Sequence, residues 1–256
     1  MKNGEIAEIG EFEVEIPAVE KPMKYLLRAS FSGGVVKAEN EWEIYAFPTR
    51  STCSTRLNSH PSNLHVVTDI SRDDLIAAMK RGERVLLLGQ GPFKALRTSY
   101  RIGLAGRCGG NYATVIKPGH PALEGLPHEG FCGWQFRRLM QEGHAVQLEA
   151  GVPFDPIIEV ASSDKFLIRQ AMLFEYKVGE GRLLVCSFAF NANDPAAAWL
   201  KAKLEAYASS DAFNPKQSLT PDRLRAVMDA PLFSAEVNKN KALNPDDPAS
   251  YIRSKK

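Results

Sequence analysis

The chain has 256 residues, 44% of them hydrophobic and 24% charged, the balance of an ordinary globular protein and enough for one large domain or a medium domain with a smaller attachment. Its 32 Lys and Arg nearly cancel 30 Asp and Glu, and a net charge of +2 supplies no concentrated basic face for nucleic acid. No run of about 18 apolar residues is present to span a membrane, so neither nucleic acid nor membrane is an expected partner.

The opening residues, MKNGEIAEIGEF, contain no apolar h-region, and no secretory signal is expected there. Residues 1–48 read as a small β segment. Partial alternation from Ile6 to Ile16 puts Phe12, Val14 and Ile16 on one face. Tyr25 to Phe31 is a second strand, Gly33-Gly34 a turn, and Trp42 to Phe47 a third strand with Trp42, Ile44 and Ala46 on one face. Three strands bury too little apolar area to stand alone, so this segment is expected to pack on something else.

A polar linker over residues 49–63 leads into an α/β domain over 64–212. Leu64 to Thr68 is a short strand. A helix follows within Asp69 to Lys80, with Leu75, Ile76 and Met79 inward, Ser71 as N-cap, and Asp73 and Asp74 in the first turn. Gly82 ends it, and Val85 to Leu88 is fully apolar, as in the middle of a parallel sheet. This β-α-β unit predicts an open sheet with helices on both faces and ligand space beyond the carboxyl ends of its strands.

Gly-rich sequence fills Gly89 to Gly110, followed by a strand at Ala113 to Ile116 and a helix over Phe131 to Gln141. Val146 to Leu148 and Ile157 to Val160 read as short strands. Phe166 to Lys177 and Arg182 to Phe188 form a hairpin around the turn at residues 179–181. Asp194 caps the last long helix, with Pro195 at its first position. Residues 213–256 are read as one more helix, from Thr220-Pro221 to about Met228, and an extended arm.

Several residues are candidates for chemistry. Gly106 to Gly110 matches G-x-C-x-G, the pattern of a cysteine nucleophile on a tight elbow, where glycine relieves Cβ clashes and exposes the thiol. A working thiol also needs a histidine base held by a carboxylate. His120, His128 and His144 form no His-x-Glu pair, and the sequence after Cys108 reads as strand and turn. The stretch is therefore read as a Gly-rich loop, with catalysis by Cys108 kept as the alternative.

The four cysteines, Cys53, Cys108, Cys132 and Cys186, form no C-x-x-C, and Cys186 lies in the apolar run LLVCSF as a buried small hydrophobe. His120, His128, Glu129 and Cys132 fit neither HExxH nor a knuckle, so no metal is expected, and no cofactor either. Gln90 and Gly91 follow the apolar strand where a doubly wound sheet binds ligands, yet no helix follows them to hold an anion. Trp134, beside Gln135 and Phe131, could stack on a sugar ring, but its helical spacing argues for core and predicts a mostly buried indole. With Gln90, Gly91, His120, Trp134 and Gln135, Glu175 completes the ligand-binding candidates. No segment presents the paired carboxylates of glycoside hydrolysis.

Longer strings carry a resemblance. Asn40 to Pro48, NEWEIYAFP, resembles the strand that closes an immunoglobulin-like sandwich near the C-terminus of some large bacterial glycoside hydrolase family 2 proteins. The domain that follows it there is similar in fold to class I glutamine amidotransferases. The matching strings are VVTD from Val66, GERVLLLGQG from Gly82, GHPALEGLPHEGFCGWQF from Gly119, LFEYKVGEGRLLVCSF from Leu173, and DPAAAWLKAKLEAYASSDAFNP from Asp194.

The resemblance implies a flavodoxin-like, amidotransferase-like sheet without a working triad. It implies an accessory or interaction role in carbohydrate degradation, and an exported parent protein. It also implies that Pro121 and Pro127 shape a loop whose Phe131, Trp134 and Phe136 anchor the next helix. Expected partners are a second copy or the adjoining domains of a larger glycoside hydrolase, and a carbohydrate. The competing classes are a cysteine-dependent amidase or hydrolase at Cys108 and a free-standing sugar-binding protein.

Overall fold

The computed structural model describes residues 10–33, 36–48, 63–98, 100, 111–148, 152–162 and 168–231. Strands β1 (Met23–Gly33) and β2 (Val36–Ala46) form a two-stranded antiparallel sheet of their own. Their register opposes Met23 to Ala46, Tyr25 to Ile44, Leu27 to Trp42 and Phe31 to Ala38 on one face. Lys24 opposes Tyr45, Leu26 opposes Glu43 and Arg28 opposes Glu41 on the other. One face is thus apolar and the other largely charged.

The strand expected from Ile6 to Ile16 is not found in its described part. Residues 10–16 carry no regular structure, and Phe12, Val14 and Ile16 are exposed. Alternation favours a strand only where a partner edge accepts its backbone hydrogen bonds, and no described strand pairs with these residues.

The rest of the described chain is mixed α/β. Its elements are β3 (Leu64–Val67), α1 (Arg72–Lys80), β4 (Arg84–Leu88), β5 (Ala95–Arg97), β6 (Asn111–Ile116), α2 (Arg137–Gln141), β7 (His144–Val146), β8 (Ile158–Ser162), β9 (Ile168–Val178), β10 (Gly181–Cys186), α3 (Pro195–Ser209), β11 (Ser218–Leu219) and α4 (Pro221–Asp229). The sheet runs β3-β4-β10-β9-β7-β5, with β8 also on β9, β6 beyond β8, and β11 against the far end of β9.

The β3-α1-β4 unit forms as its sequence predicts. The Ser71 hydroxyl accepts the Asp74 amide at 3.2 Å, and Gly82 takes the left-handed conformation that ends the helix. β3, β4 and β10 are parallel, whereas β10-β9, β9-β8, β8-β6, β9-β7 and β7-β5 are antiparallel. The sheet is therefore mixed, parallel at β3-β4-β10 and where β11 meets β9, and antiparallel elsewhere. The reason is connection length: a tight turn joins β9 to β10, and only a crossover of a dozen or more residues can join parallel neighbours.

Both faces of the sheet are covered. Val85 and Leu87 of β4, with Phe174, Tyr176 and Val178 of β9, bury against Leu75, Ile76 and Met79 of α1 and Leu224, Val227 and Met228 of α4. Leu86 and Leu88, with Leu173 and Leu184, bury on the opposite side with Leu200, Leu204 and Tyr207 of α3 and with Phe136 and Leu139. Period-2 alternation in β4 feeds both layers, which is why its sequence is apolar throughout. Residues 213–229 belong to this body: β11 pairs with β9, and α4 is tied to α1 by Arg72 to Asp229 at 2.6 Å and Arg225 to Asp73 at 2.7 Å.

The helix expected over Phe131 to Gln141 is shorter. A 3-10 turn at Trp134–Phe136 leads into the five residues of α2, and Gly133 before it offers no side-chain cap. Phe136 and Leu139 are the inward anchors at 0% and 2% exposure, but Phe131 is 48% exposed and anchors nothing.

Candidate functional site

The charged face of the β1–β2 hairpin meets the loop that precedes α2. Lys24 lies 2.5 Å from Glu43 on the neighbouring strand and 2.5 Å from Glu129 on the loop. These hydrogen bonds, Glu129's first, hold the Lys24 ammonium well above its ordinary pKa. The same Lys24 bond, and then one from Tyr45, hold Glu43 below the usual carboxylate range. Tyr45 donates to Glu43 at 3.0 Å, and its phenol is pushed up to about 12, by burial first and then by Glu43.

Next to this cluster stand Tyr100 and Trp134, ring centroids 5.5 Å apart at 38°. Burial raises the Tyr100 phenol, with smaller contributions from Cys132 and Glu43, so the ring pair and the acidic cluster are one neighbourhood. Trp134 is 60% exposed, against the mostly buried position its spacing predicts. The 3-10 turn explains the difference: over three residues per turn the inward positions are Gln135 and Phe136, and the indole is carried outward.

Gln135 is buried at 7% exposure. Its amide nitrogen donates to the Pro127 carbonyl at 2.7 Å, while its amide oxygen is buried without a partner. A Cβ on Gly133 would lie 2.7 Å from that oxygen and 3.5 Å from the Tyr45 hydroxyl, so glycine there lets the amide fold back over the chain beside Tyr45.

A second polar group lies under α3. The first 3-10 turn, Pro121–Leu123, is capped by His120, whose Nδ1 accepts the Ala122 amide at 3.3 Å. That leaves His120 Nε2 facing Glu175 Oε1 at 3.7 Å. Tyr207 of α3 donates to Glu175 Oε2 at 2.8 Å and stands edge-on to the His120 ring. Burial, then the Glu175 charge, raises the Tyr207 phenol well above its ordinary range. His120 and Glu175 are about 12% and 11% exposed, so the group is a nearly enclosed network between β9, the turn and α3. The sequence singled out His120 and Glu175 separately; the fold brings them together and adds Tyr207.

Gln90 and Gly91 stand apart from both groups, at the carboxyl end of β4. Gly91 is left-handed, and a Cβ there would meet Leu87 at 2.6 Å; the Gln90 carbonyl accepts the Phe93 amide at 3.1 Å, which closes a tight loop. The Gln90 amide oxygen is buried without a partner.

Cys108 lies outside the described residues. The two described cysteines, Cys132 and Cys186, are buried, and burial pushes both thiols up to about 12, far from a neutral-pH nucleophile. His128 Nδ1 accepts the Gly130 amide at 3.1 Å, a turn contact. Among the described residues no group of three or more His, Cys, Asp or Glu could hold a metal ion, and no helix is long and apolar enough to cross a membrane.

Comparison with known proteins adds one decisive match. The model of the family described as Domain of unknown function (DUF8487) covers residues 66–229. The chain belongs to that family. The DUF8487 unit runs from within β3 to the end of α4, so it takes in the sheet and its helices and leaves the β1–β2 hairpin outside. No curated protein matches the chain.

The alternation in WEIYAF that puts Trp42, Ile44 and Ala46 on one face leaves Glu43 and Tyr45 on the other, but nothing in it marks that second face as part of a site. Lys24, Tyr100 and Tyr207 carried no signal either, since their roles depend on contacts between distant segments.

Proposed function

We propose that this protein is a non-catalytic accessory module of carbohydrate degradation that holds a saccharide at the junction of the hairpin and the DUF8487 unit. The observation that carries the reading is Trp134, a large aromatic ring 60% exposed on an ordered turn and backed by Tyr100. An exposed indole beside polar groups suits the apolar face of a sugar ring, whose hydroxyls then reach the surrounding oxygens.

We also propose kinship with the flavodoxin-like, amidotransferase-like domains of glycoside hydrolase family 2 proteins. The parallel β3-β4-β10 core, the helical crossover between β3 and β4, and helices on both faces support it. The antiparallel strands on β9 are additions to that plan. The apolar hairpin face, where Phe31 and Trp42 are exposed, is the surface on which the proposal seats a second copy of the chain.

The test is a glycan array followed by titration with indole fluorescence as readout. Binding at a Kd of about 1 mM or tighter is expected, with Trp134→Ala weakening it by roughly 30-fold or more, as for an aromatic hot spot. No binding to any saccharide at about ten times that concentration refutes the reading. The cysteine-hydrolase alternative predicts fast single-site alkylation of Cys108 at about pH 6, whereas an ordinary thiol reacts slowly there.

A further inference from the structure

Carboxylates outnumber the ammonium in the polar cluster beside Trp134. Lys24 is the cation of the cluster, and two carboxylates engage it at once, Glu43 and Glu129, each at 2.5 Å. One ammonium against two carboxylates leaves this group of three residues with a surplus negative charge. Glu43 keeps its charge, because Lys24 and then Tyr45 hold its carboxyl below the ordinary range. Gln135 adds a further acceptor: its amide nitrogen is bound to the Pro127 carbonyl, and its amide oxygen lies beside Tyr45 with no donor, in a side chain more than nine-tenths buried. A buried acceptor left without a donor is costly, so the junction is short of donors and rich in acceptors.

We infer that the Trp134 surface selects sugars by charge, taking amino-bearing rings best, neutral rings next, and rejecting acidic ones, with Glu43 and Glu129 as the specificity-determining residues. This inference rests on the saccharide reading above. An ammonium or hydroxyl on the ring supplies the missing donor to the carboxylate rim while the ring face lies on the indole. A uronate brings a further negative charge against Glu43 and Glu129, and its carboxylate, unlike an ammonium, can donate to none of the acceptors. Desolvation by the ring itself strengthens both effects, since charge interactions grow as water leaves.

The experiment compares three oligosaccharides of equal length by fluorescence titration of the full chain at pH 6: a glucosamine oligomer, a neutral glucose oligomer and a galacturonate oligomer. The glucosamine oligomer is expected to bind about five- to tenfold tighter than the neutral one, and the galacturonate oligomer about tenfold or more weaker. Both gaps should narrow as salt is raised from about 0.01 M to 1 M, because the charges lie near the surface.

Glu43→Gln and Glu129→Gln should each shrink the ratio of glucosamine to neutral affinity, while Lys201→Gln on α3 should leave it unchanged. Equal affinity for all three sugars, or tighter binding of galacturonate, overturns the inference and leaves the saccharide reading standing. Binding of none of the three overturns the inference, and together with a blank glycan array it overturns the saccharide reading as well. An unchanged ratio in both glutamine variants overturns the assignment to Glu43 and Glu129.

Discussion

Tyr207→Phe tests whether the group under α3 holds the fold together or serves a ligand. The substitution removes one oxygen and keeps the ring, so the contacts of Tyr207 with His120 at 5.6 Å and Phe213 at 5.5 Å survive. What is lost is the 2.8 Å bond to Glu175 Oε2. The Glu175 carboxylate is nearly enclosed, and His120 Nε2, at 3.7 Å, is too far to replace that bond without movement. A hydrogen bond to a charged group is worth about 1.5–3 kcal/mol, and an acceptor stranded in the interior forfeits all of it.

For a chain of this size each kcal/mol moves the melting temperature by about 2–4 °C, so a fall of about 3–12 °C is expected. Calorimetric melts of wild type, Tyr207→Phe, Glu175→Gln and the double variant would measure it. The cycle should return a coupling of about 1 kcal/mol or more, because the two side chains touch. A Tyr207→Phe melt within about 1 °C of wild type would refute the structural role. If saccharide binding vanished in the same variant, His120, Glu175 and Tyr207 would be a ligand site instead.

Trp134→Ala should cost about 1.5–2 kcal/mol in a urea unfolding experiment. The indole is 60% exposed, so about 40% of a ring that can bury about 250 Å² is covered, at about 25 cal/mol per Å² before allowance for a compact unfolded state. Phe136→Ala, at 0% exposure, should cost about 3–5 kcal/mol, and equal costs for the two would contradict their opposite burial.

Alkaline pH should destabilise the protein. Cys132, Cys186 and Tyr45 hold their protons to about 12 in the fold, but give them up near 9 and 10 when unfolded, so stability is full below about pH 9 and declines as pH rises toward 12. A urea midpoint that stays flat from pH 8 to 11 would count against those burials. Light scattering after size exclusion at about 20 µM should return a dimer whose formation is lost when Phe31 and Trp42 are both changed to Ser; a strict monomer in the wild type excludes the second copy.

The β3-α1-β4 unit, the β9–β10 hairpin and the caps at Ser71, Asp194 and Thr220 were legible along the chain, because each is decided within about ten residues by turn chemistry, capping and apolar period. The candidate residues His120, Glu175, Gln90, Gln135 and Trp134 were legible as residue types but not as a constellation. Trp134 shows why. Its spacing fits a helix with the ring inside, yet a 3-10 turn after Gly133 sends the ring out beside Tyr100 and turns Gln135 in to the Pro127 carbonyl, contacts that the local spacing does not encode. The strand expected from Ile6 to Ile16 fails, in its described part, for a related reason, since no neighbouring edge pairs with it. Sequence determined the local elements, whose energies come from near neighbours. The tertiary structure decided how the antiparallel strands join β9, where Glu175 meets His120 and Tyr207, and how Lys24 bridges Glu43 and Glu129, since each depends on contacts between residues far apart in the chain.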